Sequence, residues 1–141
     1  GAAAPRRAEL HSTGGSVDDA LSIGRMLRTR EMTTVVPAGR LCLSACPYAF
    51  AGGVARIAGE GAALGLHQHY HGENTLLPAF LAVEEIQRGQ GEVMRHLAEM
   101  GVDPMVMVPA LSTPPREIYV LTPEELARYR VVTPPESDAP G

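Results

Sequence analysis

Gly39-Arg40-Leu41-Cys42-Leu43-Ser44-Ala45-Cys46-Pro47-Tyr48-Ala49-Phe50-Ala51-Gly52-Gly53 is the least ordinary stretch of this chain. Small residues at Ser44, Ala45, Ala49, Ala51 and Gly52 let backbone approach backbone, which predicts a buried helix over 41–52. A serine at the start of such a helix has its hydroxyl near N–H groups that lack helical partners, where negative charge is favoured. Serine alone is weak evidence, because most serines so placed cap or pack. Cys42 and Cys46 flank it four residues apart, a spacing that suits a short-loop disulfide or two buried thiols. A zinc site would need two more soft ligands, and there is no second cysteine pair. A bridge would imply an oxidising compartment.

Outward from this segment, strand and helix signals alternate. Residues 7–12 predict a short strand that runs into Thr13-Gly14-Gly15-Ser16, a tight turn with exposed amides. Asp18 and Asp19 suit the first turn of a helix carrying Val17, Leu21, Ile23, Met26 and Leu27. Thr33-Thr34-Val35-Val36 predicts a strand ended by Pro37-Ala38-Gly39, and 62–67 a further buried strand. Residues 78–100 predict one long helix, weakened at Gly89 and Gly91 and closed by Gly101. Residues 118–121 predict a last short strand. Thr122-Pro123-Glu124-Glu125 opens a last helix with an N-cap, a first-position proline and acidic residues. The alternation predicts an α/β domain around a parallel, buried sheet.

With 141 residues, the chain has room for one core and not for two ordinary domains. An apolar share of 45% and a charged share of 20% belong to a folded globular protein. Net charge is −4 and no basic stripe appears, which sets nucleic acid aside. The uncharged run 41–55 is too short to span a bilayer, which takes about 20 apolar residues. The chain opens Gly-Ala-Ala-Ala-Pro-Arg-Arg with neither an initiating Met nor a signal peptide, and is expected to be a trimmed or mature chain. Residues 1–133 are expected to form the domain and 134–141 a disordered tail.

His67 follows a strand and can serve a serine as general base. The Gly14-Gly15 turn can aim amides at a reacting carbonyl oxygen. Glycine turn, serine and strand-end histidine, in that order, form a constellation suited to acyl transfer. His67, His69 and His71 also alternate, which on a strand would suit zinc. Gly72, Glu73 and Asn74 follow at once and predict a loop, so neither metal nor cofactor is expected.

Four segments resemble the proteolytic subunit of Clp protease, within the Clp/crotonase superfold. Ser12-Thr13-Gly14-Gly15-Ser16-Val17 resembles that family's Ser-Pro-Gly-Gly turn, and Leu43-Ser44-Ala45 its nucleophile segment. Leu66-His67-Gln68 resembles its Ile-His-Gln segment, and 120–126 its Phe-Leu-Ser-Ala-x-Glu-Ala stretch. The Cys-x-Ser-Ala-Cys variant is similar to bacterial periplasmic proteins related to Clp protease. The resemblance covers about residues 8–133. It implies a spiral of β-β-α units with a long handle-type helix, here without the family's N-terminal first strand and helix. It implies Ser44 as nucleophile, His67 as base, and amides of Gly15 and Ala45, with Gly14 as the alternative, as oxyanion hole. It further implies a peptide or protein substrate, a homo-oligomer joined through 78–100, and a periplasmic or secreted location. No segment resembles a loop that docks an unfoldase.

The departures bear on activity. The family's triad aspartate should stand two positions before Val120, where this chain has Ile118. Glu117 is the adjacent acid and Asp103 a more distant one. Alternation along a strand turns Glu117 away unless the register shifts. A Ser-Lys pair is closed, because all 12 basic residues are arginine. The expectation is a serine peptidase-like hydrolase. Its rival is a degenerate binding or scaffold protein that keeps the fold without turnover, and a weaker third reading is a crotonase-like acyl-CoA enzyme.

Overall fold

A computed structural model of the chain describes residues 6–69 and 78–135. The strands are β1 (Arg7–Glu9), β2 (Thr33–Val36), β3 (Leu41–Leu43), β4 (Ala55–Ala58), β5 (Ala63–Leu66) and β6 (Tyr119–Val120). The helices are α1 (Val17–Thr29), α2 (Cys46–Phe50), α3 (Ala79–Glu99), α4 (Met107–Leu111) and α5 (Pro123–Arg128), with a 3₁₀ turn over Pro104–Val106.

Two three-stranded sheets result, ordered β1-β2-β4 and β3-β5-β6. The first is parallel throughout, and so is the β3–β5 pair. β6 runs antiparallel to β5, which corrects the expectation of a parallel sheet. A bridge between Ser12 and Cys42 extends the β1 segment onto β3. The chain thus visits one sheet, then the other, then a helix. It does so before α1, before α2 and, from β4 to β5, before α3.

Local chemistry accounts for most element ends. Thr33-Thr34-Val35-Val36 is a run of β-branched residues that favour the pleated surface, and Val36 is fully buried. The Ser16 side chain caps α1 by accepting from the Asp19 amide at 3.2 Å. Thr122 and Glu125 form a reciprocal capping box on α5, with bonds of 2.9 and 3.1 Å. Where α1 crosses α2, a Cβ on Gly52 would fall onto the backbone of Gly24, so side chains there would force the helices apart.

Three segments differ from the sequence expectation. Residues 41–52 are not one helix: 41–43 form β3, and the helix begins only at Cys46. The strand β4 was not anticipated, since Arg56 interrupts its apolar pattern. Nor were the 3₁₀ turn and α4, whose Pro104 and Pro109 break helical periodicity.

Arg56 is 4% exposed and meets carbonyl oxygens. Its guanidinium donates to Val131 at 2.8 Å, Met100 at 3.0 Å, Gly53 at 3.1 Å and Arg130 at 2.8 Å. Arg28 donates to the same Met100 oxygen at 3.1 Å and to Gly52 at 3.0 Å. Helix C-termini present carbonyls without helical partners, and two arginines satisfy them here. Burial, then the neighbouring Arg28 and Arg130, pushes the Arg56 pKa down to about 10, still charged at neutral pH.

Candidate active site

Leu41, Cys42 and Leu43 are too few and too apolar to show a period, yet parallel pairing with Ala63, Leu64 and Gly65 holds them extended. At Ser44 the chain turns sharply into α2, and its φ of 65° lies in the left-handed region that a side chain rarely adopts. The turn is held from outside: the Ser44 amide donates to Gly65 oxygen at 2.9 Å. It is also held across its base, because Cys42 and Cys46 are joined in a disulfide with Cα atoms 5.1 Å apart. The hydroxyl is thereby aimed away from the strand.

His67 follows the last residue of β5. Its Nε2 lies 2.8 Å from Ser44 Oγ, and its Nδ1 lies 2.6 Å from the main-chain oxygen of Glu117. A carbonyl can only accept, so Nδ1 carries the proton and Nε2 is left to accept from the Ser44 hydroxyl. This is the tautomer a general base needs. Glu117 therefore meets His67 through its backbone, where the sequence expectation was a carboxylate. The Glu117 side chain is on the exposed surface. Asp103 is engaged elsewhere, its Oδ1 accepting from the Met105 amide at 3.0 Å as cap of the 3₁₀ turn.

Gly14 packs directly on the serine. A Cβ there would stand 2.9 Å from Ser44 Cβ, and φ is +135°. Gly15 has φ +153° and open space around it. The Gly14 amide donates to Ser12 Oγ at 3.1 Å. Among the described residues, the amides of Gly15 and Ala45 have no such acceptor. Of the three expected oxyanion donors, these two are the ones at liberty. A cavity of about 270 Å³ opens beside them, floored by Leu10, Ala20, Ile23 and Ala49.

Two further side chains border the site. Tyr48 on α2 hydrogen-bonds His69, and His69 packs edge-on to His67. Tyr48 was not singled out in the sequence, where it reads as one more apolar residue of the segment. His71, the third alternating histidine, lies outside the described residues, as do residues 136–141 of the expected tail. No cluster of three or more metal-ligating side chains occurs among the described residues.

Neither a family model nor a curated protein matches the sequence. Among solved structures, a mutant ClpP1 from Listeria monocytogenes is similar, with a TM-score of 0.66 and 20% identity. The match covers 91% of this chain and 71% of that one.

The fold is ClpP-like.

Within this ClpP-like fold, Ile118 stands where the sequence comparison expected an acid, and it is 37% exposed. No helix among the described residues is long and apolar enough to cross a membrane.

Proposed function

We propose that this chain is a serine peptidase-like hydrolase that cleaves peptide or ester bonds with a Ser44–His67 pair. The observation that carries the reading is the 2.8 Å contact between Ser44 Oγ and the accepting Nε2 of His67. Ser44 Oγ attacks the substrate carbonyl carbon while His67 Nε2 takes the hydroxyl proton. The amides of Gly15 and Ala45 receive the negative charge that develops on the carbonyl oxygen. The same nitrogen then returns its proton to the leaving amine or alcohol, and water hydrolyses the acyl-serine by the reverse roles. The cavity beside Gly15 and Ala45 suits an apolar portion of the substrate.

The repeated strand–strand–helix order fits a Clp/crotonase-type spiral. The first half of α3 carries exposed Phe80, Leu81 and Val83, and we assign it to contact between copies of the chain. A stable contact should bury more than about 1,000 Å². The disulfide supports an exported, periplasmic location.

One observation favours the rival reading of a degenerate binding protein: a neutral carbonyl, and not a carboxylate, faces His67. Replacing a triad aspartate by its amide costs up to about 10⁴-fold in turnover. A fluorophosphonate probe separates the two. It should label Ser44 in the native chain and fail on Ser44→Ala and His67→Ala. A native chain that resists the probe belongs to the binding reading, and labelling that survives Ser44→Ala removes Ser44 as nucleophile.

A further inference from the structure

Tyr48 and His69 stand beside the Ser44–His67 pair and take no part in the proton path. Tyr48 is fully buried on α2, and its hydroxyl meets His69 Nε2 at 2.5 Å. Their rings meet edge-on, centroids 5.2 Å apart at 66°. His69 then meets His67 edge-on, at 5.6 Å and 88°. Between them Gln68 is anchored on α4 and the turn after it. Its main-chain amide donates to Thr113 oxygen and its side-chain amide to Leu111 oxygen, both at 2.9 Å.

We propose that His69, fastened by the Tyr48 hydroxyl, is a positioning residue that holds the His67 imidazole where it reaches both Ser44 and Glu117. The inference rests on the Ser44–His67 reading above. His67 lies beyond the ladder of β5, and an imidazole there swings about two side-chain torsions. One hydrogen bond to an uncharged oxygen restrains Nδ1, and the His69 ring closes off rotation on the adjoining side. Tyr48 stands on the same short helix that follows Ser44, so one buried element fixes both the nucleophile and the brace of its base. The brace also stays neutral. Burial, and then the proximity of His67, pushes the His69 pKa down to about 4. A second cation beside His67 would oppose the imidazolium that forms during turnover.

Steady-state hydrolysis of a p-nitrophenyl ester tests this on the native chain, His69→Ala, His69→Phe and Tyr48→Phe, with thermal melts to establish folding. Small misplacements of a catalytic group cost up to about 100-fold, so His69→Ala should lower kcat by about 10- to 100-fold and leave KM within about twofold. His69→Phe keeps a ring against His67 and should recover most of that loss. Tyr48→Phe, which removes the hydrogen bond to His69 without emptying the core, should fall between. Native kcat in folded His69→Ala, equal loss in the Ala and Phe variants, or a change carried by KM would each overturn the positioning role. A native chain without any turnover would instead overturn the hydrolase reading and the positioning role with it.

Discussion

Nδ1 of His67 donates to the main-chain oxygen of Glu117 across 2.6 Å, and this one bond decides which ring nitrogen is basic. The contact needs no carboxylate. Replacing a true triad aspartate by its amide costs about 10⁴-fold in kcat, whereas Glu117→Gln should cost no more than about threefold. Ester hydrolysis by the purified variant checks this, and a loss of several orders of magnitude would make the carboxylate the functional acid.

Gly14 is the position where the smallest addition should do the most harm. An alanine methyl would stand 2.9 Å from Ser44 Cβ on a backbone with φ +135°. Left-handed strain alone costs about 1–3 kcal/mol, and the serine must move as well. Gly14→Ala is expected to abolish fluorophosphonate labelling. Gly15→Ala meets no atom within 4 Å. It should retain labelling at a reduced rate, because only the strain and the aim of its amide change. Rates of labelling under identical conditions compare the two.

The Cys42–Cys46 bridge encloses the Ser44 turn. Closing so short a loop removes unfolded-state entropy amounting to about 2 kcal/mol. Reduction, or the double change Cys42→Ala and Cys46→Ala, is expected to lower the melting temperature and slow labelling of Ser44. Melts with and without reductant measure the first effect, and probe kinetics on the reduced protein the second. A reduced chain that labels at the native rate would show that the β3 pairing and the Ser44–Gly65 bond hold the turn unaided.

Two histidines should set the acid limit of the fold. The His69 pKa falls from 6.5 to about 4 on folding. His96, 3% exposed, is also lowered, chiefly by burial and against the opposing pull of its bond to Tyr48 oxygen. The unfolded chain therefore binds more protons than the folded one below about pH 6.5. The stability conferred is full above that value and is lost as pH drops toward 4. Melting temperature should fall over this window. His96→Gln, which can still donate to Tyr48 oxygen and does not titrate, should flatten part of the slope. An unchanged slope would mean that other groups dominate acid unfolding.

What the sequence made legible follows from which interactions are local. Thr122 caps the helix it was expected to cap, Asp18 and Asp19 stand in the first turn they were expected to suit, and Thr33–Val36 is a strand because its β-branched residues prefer one. Residues 41–52 read as one helix because Leu41–Leu43 owe their extended form to pairing with β5, a partner more than 20 residues away. β4 was illegible for a related reason: Arg56 is buried only because carbonyls from 53, 100, 130 and 131 converge on it. At the candidate site, Ser44, His67 and the Gly14-Gly15 turn could be marked from residue type and order, and Ala45 only through the resemblance to Clp protease. The Glu117 oxygen could not, since every residue has a carbonyl and only the fold chooses one. Tyr48 was hidden because a tyrosine in an apolar run looks like packing until its hydroxyl is seen against His69.

Hydrolysis by the Ser44–His67 pair requires that Ser44 form an acyl bond with the help of His67. It is tested most directly by mixing the native chain with p-nitrophenyl acetate, quenching early and locating the acetyl group by peptide mass spectrometry. A burst of p-nitrophenol matched by acetyl-Ser44 is expected, absent in Ser44→Ala and strongly slowed in His67→Ala. A native chain that releases no burst and carries no acetyl group on Ser44 would contradict the Ser44–His67 reading.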